Sequence, residues 1–179
     1  METQHIDYKR ILFLLRHAKA EFGDGLSDFD RPLASEGMKQ AKTLGTYLND
    51  HAILPEHIYC SSAHRTLQTS ENLLESIDRD IEVTLMKEMY NASQGDLLHV
   101  AQSLDNELTS AMFVAHNPGI HALANTLTQM SNDKKRKELV YTYRPCTLTI
   151  IGSNIENWAE AGPQSFDLID YISFDHPLD

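Results

Sequence analysis

Three short segments of the chain bring arginine and histidine to places where chemistry could be done. Arg16-His17 follows one apolar run, Cys60-Ser61-Ser62-Ala63-His64-Arg65 follows a second, and His116-Asn117-Pro118 follows a third. A guanidinium binds phosphate oxygens in bidentate fashion, and a histidine adds a further donor. Brought together, Arg16, Arg65, His17 and His116 would make a pocket suited to a phosphoryl group. A cationic pocket binds phosphate without cleaving it; cleavage needs an in-line nucleophile and, for some leaving groups, an acid. The sequence carries no magnesium-site signature and no glycine-rich loop with its lysine, since Gly23-Asp24-Gly25 is too short and opens no helix. The spacing from Cys60 to Arg65 is one residue short of a cysteine phosphatase loop. Histidine remains as the nucleophile, because a neutral imidazole with a pKa of about 6.5 can attack phosphorus at neutral pH. A zinc role for His116 fits poorly: His121 lies five residues on, and a helix places residues four apart, not five, on one face. No metal and no cofactor is expected.

These residues must be positioned by something, and the pattern alternates strand with helix. Ile11 to Leu15 is a continuous apolar run, as in a strand buried on both faces. Further strands are predicted over 57–60, 81–85, 111–115, 147–151 and 168–172. Helices are predicted with Met38, Ala41, Leu44 and Leu48 on one face after a Ser35 cap, and with Leu67, Leu74 and Ile77 on one face after a Ser62 cap. Two more carry Leu97, Val100, Ala101 and Leu104, and Ile120, Leu123, Ala124 and Leu127. Asn117-Pro118 reads as a cap followed by proline at the first helical position. Such alternation predicts a layered α/β domain, a mostly parallel central sheet with helices on both faces. Some antiparallel pairing is expected in the strand-rich C-terminal third. In open sheets of this kind the site lies beyond the C-terminal ends of the strands, where all three arginine and histidine segments fall if their strands are parallel neighbours. Arg65 would then sit early in a helix, where a cation opposes the dipole unless an anion is near. The run Lys134-Lys135-Arg136-Lys137 reads as a solvated loop, Trp158 as a residue at the sheet edge, and Cys60 and Cys146 as small buried side chains.

With 179 residues, the chain is one domain's worth and long enough to bury a core without a metal or disulfide staple. Hydrophobic residues at 41% and charged residues at 23% exclude a disordered tail and a membrane bundle. The formal net charge of −11 repels phosphate backbones at long range, which argues against general nucleic-acid binding. A phosphate-bearing substrate must therefore be held by a local cluster working against the global field. The apolar run after Lys9 and Arg10 has only five residues, whereas a secretory core needs about 7–15 and a membrane span about 20. Together with two cysteines that make no disulfide framework, this predicts a cytoplasmic protein without membrane contact.

In order and spacing, Arg16-His17-Ala18-Lys19, the segment Asp30 to Gly37, Ser61-Ser62-Ala63-His64-Arg65-Thr66 and His116-Asn117-Pro118-Gly119 resemble the histidine phosphatase superfamily. The resemblance covers roughly residues 11 to 172 of a single domain. Its nearest branch is the short SixA-like phosphohistidine phosphatase group, which favours Arg-His-Ala-Lys over the wider family's Arg-His-Gly and carries a Glu-Leu-Tyr that Glu88-Met89-Tyr90 resembles. The resemblance implies a phosphoglycerate mutase-like three-layer fold. It implies His17 as the nucleophile of a covalent phosphohistidine intermediate, and Arg16, Arg65 and His116 as ligands of the transferring phosphoryl group. Glu88 becomes the candidate acid, and Arg31 a residue of the phosphate pocket's rim.

Ala18 in place of glycine argues against the sugar-phosphate mutase branch. The short chain leaves little room for a large cap, and an open site suits a bulky substrate. The expected partner is a phosphorylated protein carrying phosphohistidine in a signalling or phosphotransfer system. A small phosphate ester or nucleoside phosphate is the alternative, and a phosphate-recognition module without turnover is a third reading. A leaving alkoxide needs a proton far more than a leaving imidazole does, so weight on Glu88 distinguishes the first two.

Overall fold

The computed structural model describes residues 7–22 and 25–174. The first apolar run forms strand β1 (Arg10–Arg16). Its side chains alternate between two cores, with Leu12 and Leu14 in one and Phe13 and Leu15 in the other, as the period of a strand covered on both faces requires. Strands β2 (His57–Ser61), β3 (Glu82–Met86) and β4 (Ser110–Ala115) follow, then β5 (Thr147–Ser153) and β6 (Asp167–Ser173). They form one sheet in the order β3-β2-β4-β1-β5-β6. β1 to β4 run parallel; β5 is antiparallel to both β1 and β6. The mostly parallel sheet and the antiparallel pairing toward the C-terminus are both as predicted.

Helices α1 (Ser35–Asp50) and α2 (His64–Leu74) cover one face, placing Ala41, Leu44, Leu48 and Leu73 in the core with Phe13 and Leu15. Helices α3 (Gln94–Gln102) and α4 (Gly119–Leu127) cover the other, with Leu97, Val100, Ile120, Leu123 and Leu127 against Leu12 and Leu14. Because β4 lies between β1 and β2, the C-terminal ends of three parallel strands adjoin. Arg16-His17, Ser61 and His116 emerge at that one edge, which is where the chemistry must converge.

Several local expectations change. Ser35 is the first residue of α1, and neither Ser35 nor Ser62 caps a helix; Ala34 and Ala63 hold the cap positions without a side-chain bond. Pro118 is the N-cap of α4 rather than its first helical residue. Ser93 caps α3, accepting from the Asp96 backbone while the Asp96 carboxylate accepts from the Ser93 backbone. On α2 the buried face is Arg65, Thr66, Thr69, Ser70 and Leu73, while Leu67 and Leu74 are half-buried and Ile77 lies beyond the helix. The hydroxyls can be buried because each donates to a carbonyl one turn back or nearer: Thr66 to Ala63, Thr69 to Arg65 and Ser70 to Thr66. An apolar period cannot register such a face. Residues 134–137 are not a loop. They open helix α5 (Lys134–Tyr141), capped by Asp133, and Arg136 is only 2% exposed. Its guanidinium donates to the Gln129 carbonyl and to the side-chain and backbone oxygens of Asn125, which is what allows a cation to be buried. Trp158 is fully buried with its indole N–H on the Leu108 carbonyl, and both cysteines are buried and free. No helix among the described residues is long and apolar enough to cross a membrane.

One close approach ties α1 to the end of β1. A Cβ built on Gly37 would lie 2.0 Å from the Lys19 carbonyl oxygen, which also accepts from the Ala34 backbone. The contact is with backbone, so a side chain there must push the segment after His17 out of place. Gly37→Ala is expected to destabilise the protein by about 1–3 kcal/mol, read as a lowered denaturant midpoint with an unchanged slope.

Candidate active site

The backbone of His17-Ala18-Lys19 is pinned at every polar group. His17 N donates to the Ala115 carbonyl at the end of β4, and its own carbonyl accepts from Cys146 N. Ala18 N donates to Thr69 Oγ1 of α2 (3.0 Å), and Lys19 N to Gln40 Oε1 of α1 (3.0 Å). The Ala18 carbonyl accepts from Nδ1 of His17 itself (2.7 Å). A carbonyl can only accept, so the ring proton sits on Nδ1 and Nε2 keeps its lone pair.

That Nε2 lies 3.3 Å from Arg65 Nε, which donates toward it. The His17 and His116 rings are 5.2 Å apart between centroids. His116 Nε2 is 2.7 Å from Ser61 Oγ, and its Nδ1 is buried with no hydrogen-bond partner among the described residues. Ser61 Oγ and His116 Nε2 share one hydrogen bond, and Nδ1 is the ring nitrogen left facing the cluster without a partner among the described residues. Arg16 anchors Nη1 on the Tyr143 carbonyl (2.7 Å), to which Asn117 also donates. The structure thus brings Arg65, His17 and His116 together as buried residues, with Arg16 on the strand end beside them.

Both histidines are neutral at physiological pH. Burial pushes His17 down to about 3, with His116, Arg65 and Arg16 adding to the fall and the Ala18 hydrogen bond opposing it. Burial likewise lowers His116 to about 4, helped by Arg65 and Arg16 and resisted by Asp28. The cationic character of the cluster therefore rests on the two arginines, and His17 beside them keeps Nε2 unprotonated.

The sequence reading does not single out Asp28, which is central to the geometry. Its carboxylate accepts from Arg65 Nη2 (3.0 Å), Arg31 Nη1 (3.0 Å) and the Tyr90 hydroxyl (3.0 Å), and its carbonyl accepts from Arg65 Nη1. Partial burial would raise its pKa, but the hydrogen bonds from Arg31 and Tyr90 and the charge of Arg65 outweigh that and hold it near 2. This is the anion that a cation at the first turn of α2 calls for. Arg31 braces the loop, with Nε on the Glu21 carbonyl, and reaches the cluster only through Asp28. Tyr90 sets its ring edge toward His116 and Phe29. Glu88 is exposed and lines a cleft with Tyr59, Met86, His99, Val100, Ser103 and Leu104. Among the described residues no group of three or more His, Cys, Asp or Glu is arranged to hold a metal ion.

Residues 12–103 match the sequence model of the histidine phosphatase superfamily, branch 1. An uncharacterized protein of Mycobacterium tuberculosis is 27% identical over 158 residues, covering 88% of this chain and 98% of its own. Among solved structures, a protein assigned as the phosphohistidine phosphatase SixA of Agrobacterium tumefaciens superposes with a TM-score of 0.76 at 27% identity, over 93% of this chain and 99% of that one. The corresponding protein of Nakamurella multipartitia superposes with a TM-score of 0.80 at 24% identity, over 95% and 97% of the two chains.

The neutral histidines have a consequence in acid. An unfolded histidine takes up its proton near pH 6.5, whereas folded His17 and His116 do so only near 3 and 4. Between those values the unfolded state binds more protons, so stability falls as the pH drops from about 6.5 toward 4. Proton NMR should show neither ring titrating between pH 8 and 5. Replacing His17 by Gln should flatten the decline of melting temperature over that acid range.

Proposed function

The chain belongs to the histidine phosphatase superfamily, and from that membership and the pinned His17 we infer a phosphatase that forms a phosphohistidine on His17 Nε2 and acts on phosphohistidine carried by a protein. The single observation that carries this reading is the His17 Nδ1 bond to the Ala18 carbonyl, which leaves Nε2 unprotonated beside Arg65. The substrate phosphoryl group sits against Arg16 and Arg65, with His116 Nδ1 donating to a third oxygen. Nε2 attacks phosphorus in line, the new P–N bond forms, and the bond to the leaving group breaks. Water then attacks the phosphorylated His17, releasing inorganic phosphate and restoring the free imidazole. Charge developing on the phosphoryl oxygens meets donors already in place, usually the largest contribution in this kind of catalysis.

The leaving group follows from what the cluster lacks. Asp28 is held ionised by Arg31, Tyr90 and Arg65 and is a poor proton donor, and Glu88 is exposed to solvent. An ester oxygen would depart as an alkoxide in want of an acid. A phosphoimidazole protonated on its distal nitrogen departs as neutral imidazole and needs no proton at the breaking bond. The site loop also presents Phe22 and Leu26 at 89% and 53% exposure, a surface suited to a macromolecular partner. The SixA assignments of two similar structures support the same choice.

The test is turnover of a phosphohistidine-bearing carrier protein beside a panel of small phosphate esters. Wild type should clear phosphohistidine and His17→Ala should not. Glu88→Gln should retain activity within about tenfold, well short of the 10²–10⁴-fold that a general acid contributes. Turnover confined to small esters, with a large loss in Glu88→Gln, would overturn the substrate class and leave the nucleophile standing.

A further inference from the structure

We propose that Asp28 is a positioning residue of the phosphate pocket, which holds the Arg65 guanidinium by its end so that the Nε edge is turned to His17 and the incoming phosphoryl group. The inference rests on the reading of Arg65 as a phosphate ligand. Arg65 is 4% exposed and has five N–H donors in a fixed plane. Asp28 takes two of its nitrogens, Nη1 on its carbonyl and Nη2 on its carboxylate, while Nε points at His17 Nε2. A planar fork gripped at two atoms cannot rotate, and the side left facing the nucleophile is the one that would bind oxygens in bidentate fashion.

Asp28 is itself held by two further residues. Arg31 reaches it from the same loop, and the Tyr90 hydroxyl from the segment following β3. Tyr90 in turn lies edge-on to His116, so one carboxylate links the loop, α2 and the wall beside the second histidine. Its position sets up an opposition of signs. By charge alone, a carboxylate beside a phosphate-binding arginine weakens anion binding, and removing it should tighten the site. As a positioning group it does the reverse, because a loose guanidinium loses both orientation and rate; a misplacement of about 1 Å can cost about 10²-fold.

The experiment compares wild type with Asp28→Asn, Asp28→Ala, Arg65→Ala and the Arg65→Ala/Asp28→Asn double variant. It measures kcat and KM on the phosphohistidine carrier, inhibition by inorganic phosphate, and melting temperature. The Asp28 variants should keep a melting temperature close to wild type, since the side chain is half-exposed. They should lose about 10- to 100-fold in kcat/KM and bind phosphate more weakly. In the Arg65→Ala background the Asp28 change should add nothing further. Tighter phosphate inhibition in Asp28→Asn would overturn the proposal and make Asp28 a competing anion. Unchanged kinetics, or an undiminished loss in the Arg65→Ala background, would overturn it as well. If Arg65→Ala itself leaves turnover and phosphate inhibition intact, the pocket reading falls, and this inference with it.

Discussion

The hydrogen bond from His17 Nδ1 to the carbonyl of the very next residue is the constraint on which the site depends. It fixes the tautomer, and the tautomer decides whether the ring is a nucleophile or a donor. The bond has a defined direction only because the Ala18 peptide cannot turn. Its nitrogen is held by Thr69 on α2, while the flanking His17 and Lys19 groups are held by β4, by Cys146, and by Gln40 and Ala34. The packing of α1 and α2 on one face of the sheet is thus transmitted to one nitrogen lone pair. The glycine at position 37 belongs to the same device, because α1 can approach the Lys19 carbonyl only where there is no side chain.

The electrostatics depend on burial as much as on charge. The chain carries a net −11, yet the cluster at the ends of β1, β2 and β4 holds two arginines and two histidines. Had the histidines been protonated as well, the cluster would bind oxyanions more strongly but would have no nucleophile. Burial and the neighbouring arginines keep the rings neutral, so a guanidinium charge and an unprotonated imidazole nitrogen coexist within a few ångströms. Asp28 balances one of those arginines at the first turn of α2 and is itself kept ionised by the groups it accepts from.

The strands and the clustering of Arg16, His17, Arg65 and His116 were legible because they rest on strong signals. Continuous apolar runs mark strands buried on both faces, and each run ends in the residues that matter. What escaped was carried by polar groups whose partners are distant in sequence. Arg136 looks like a solvated charge until the carbonyls of Asn125 and Gln129 are placed around it. The hydroxyl face of α2 has no apolar period. Asp28 sits in a loop beside other acidic residues, and nothing in its spacing shows that it will lie on Arg65, 37 residues later. Glu88 stands two residues before Tyr90, which reaches the site through Asp28, while its own side chain is exposed.

The order of the strands explains why the arrangement needs so few residues. Had β2 paired directly with β1, the β2 loop and His116 would have reached the nucleophile from opposite sides of the sheet order. With β4 inserted between them, the end of β4 adjoins both. His116 then shares a hydrogen bond with Ser61 at the end of β2 and faces His17 at the end of β1. Arg65, the second residue of α2, comes back over the same edge to meet His17 Nε2. The β1–β2 and β3–β4 crossovers bring three strand ends together, and the cluster is carried on those ends and on the first turn of α2. A site built this way is anchored on the sheet, and Asp28 joins it from a loop that also carries the exposed side chains of Phe22 and Leu26.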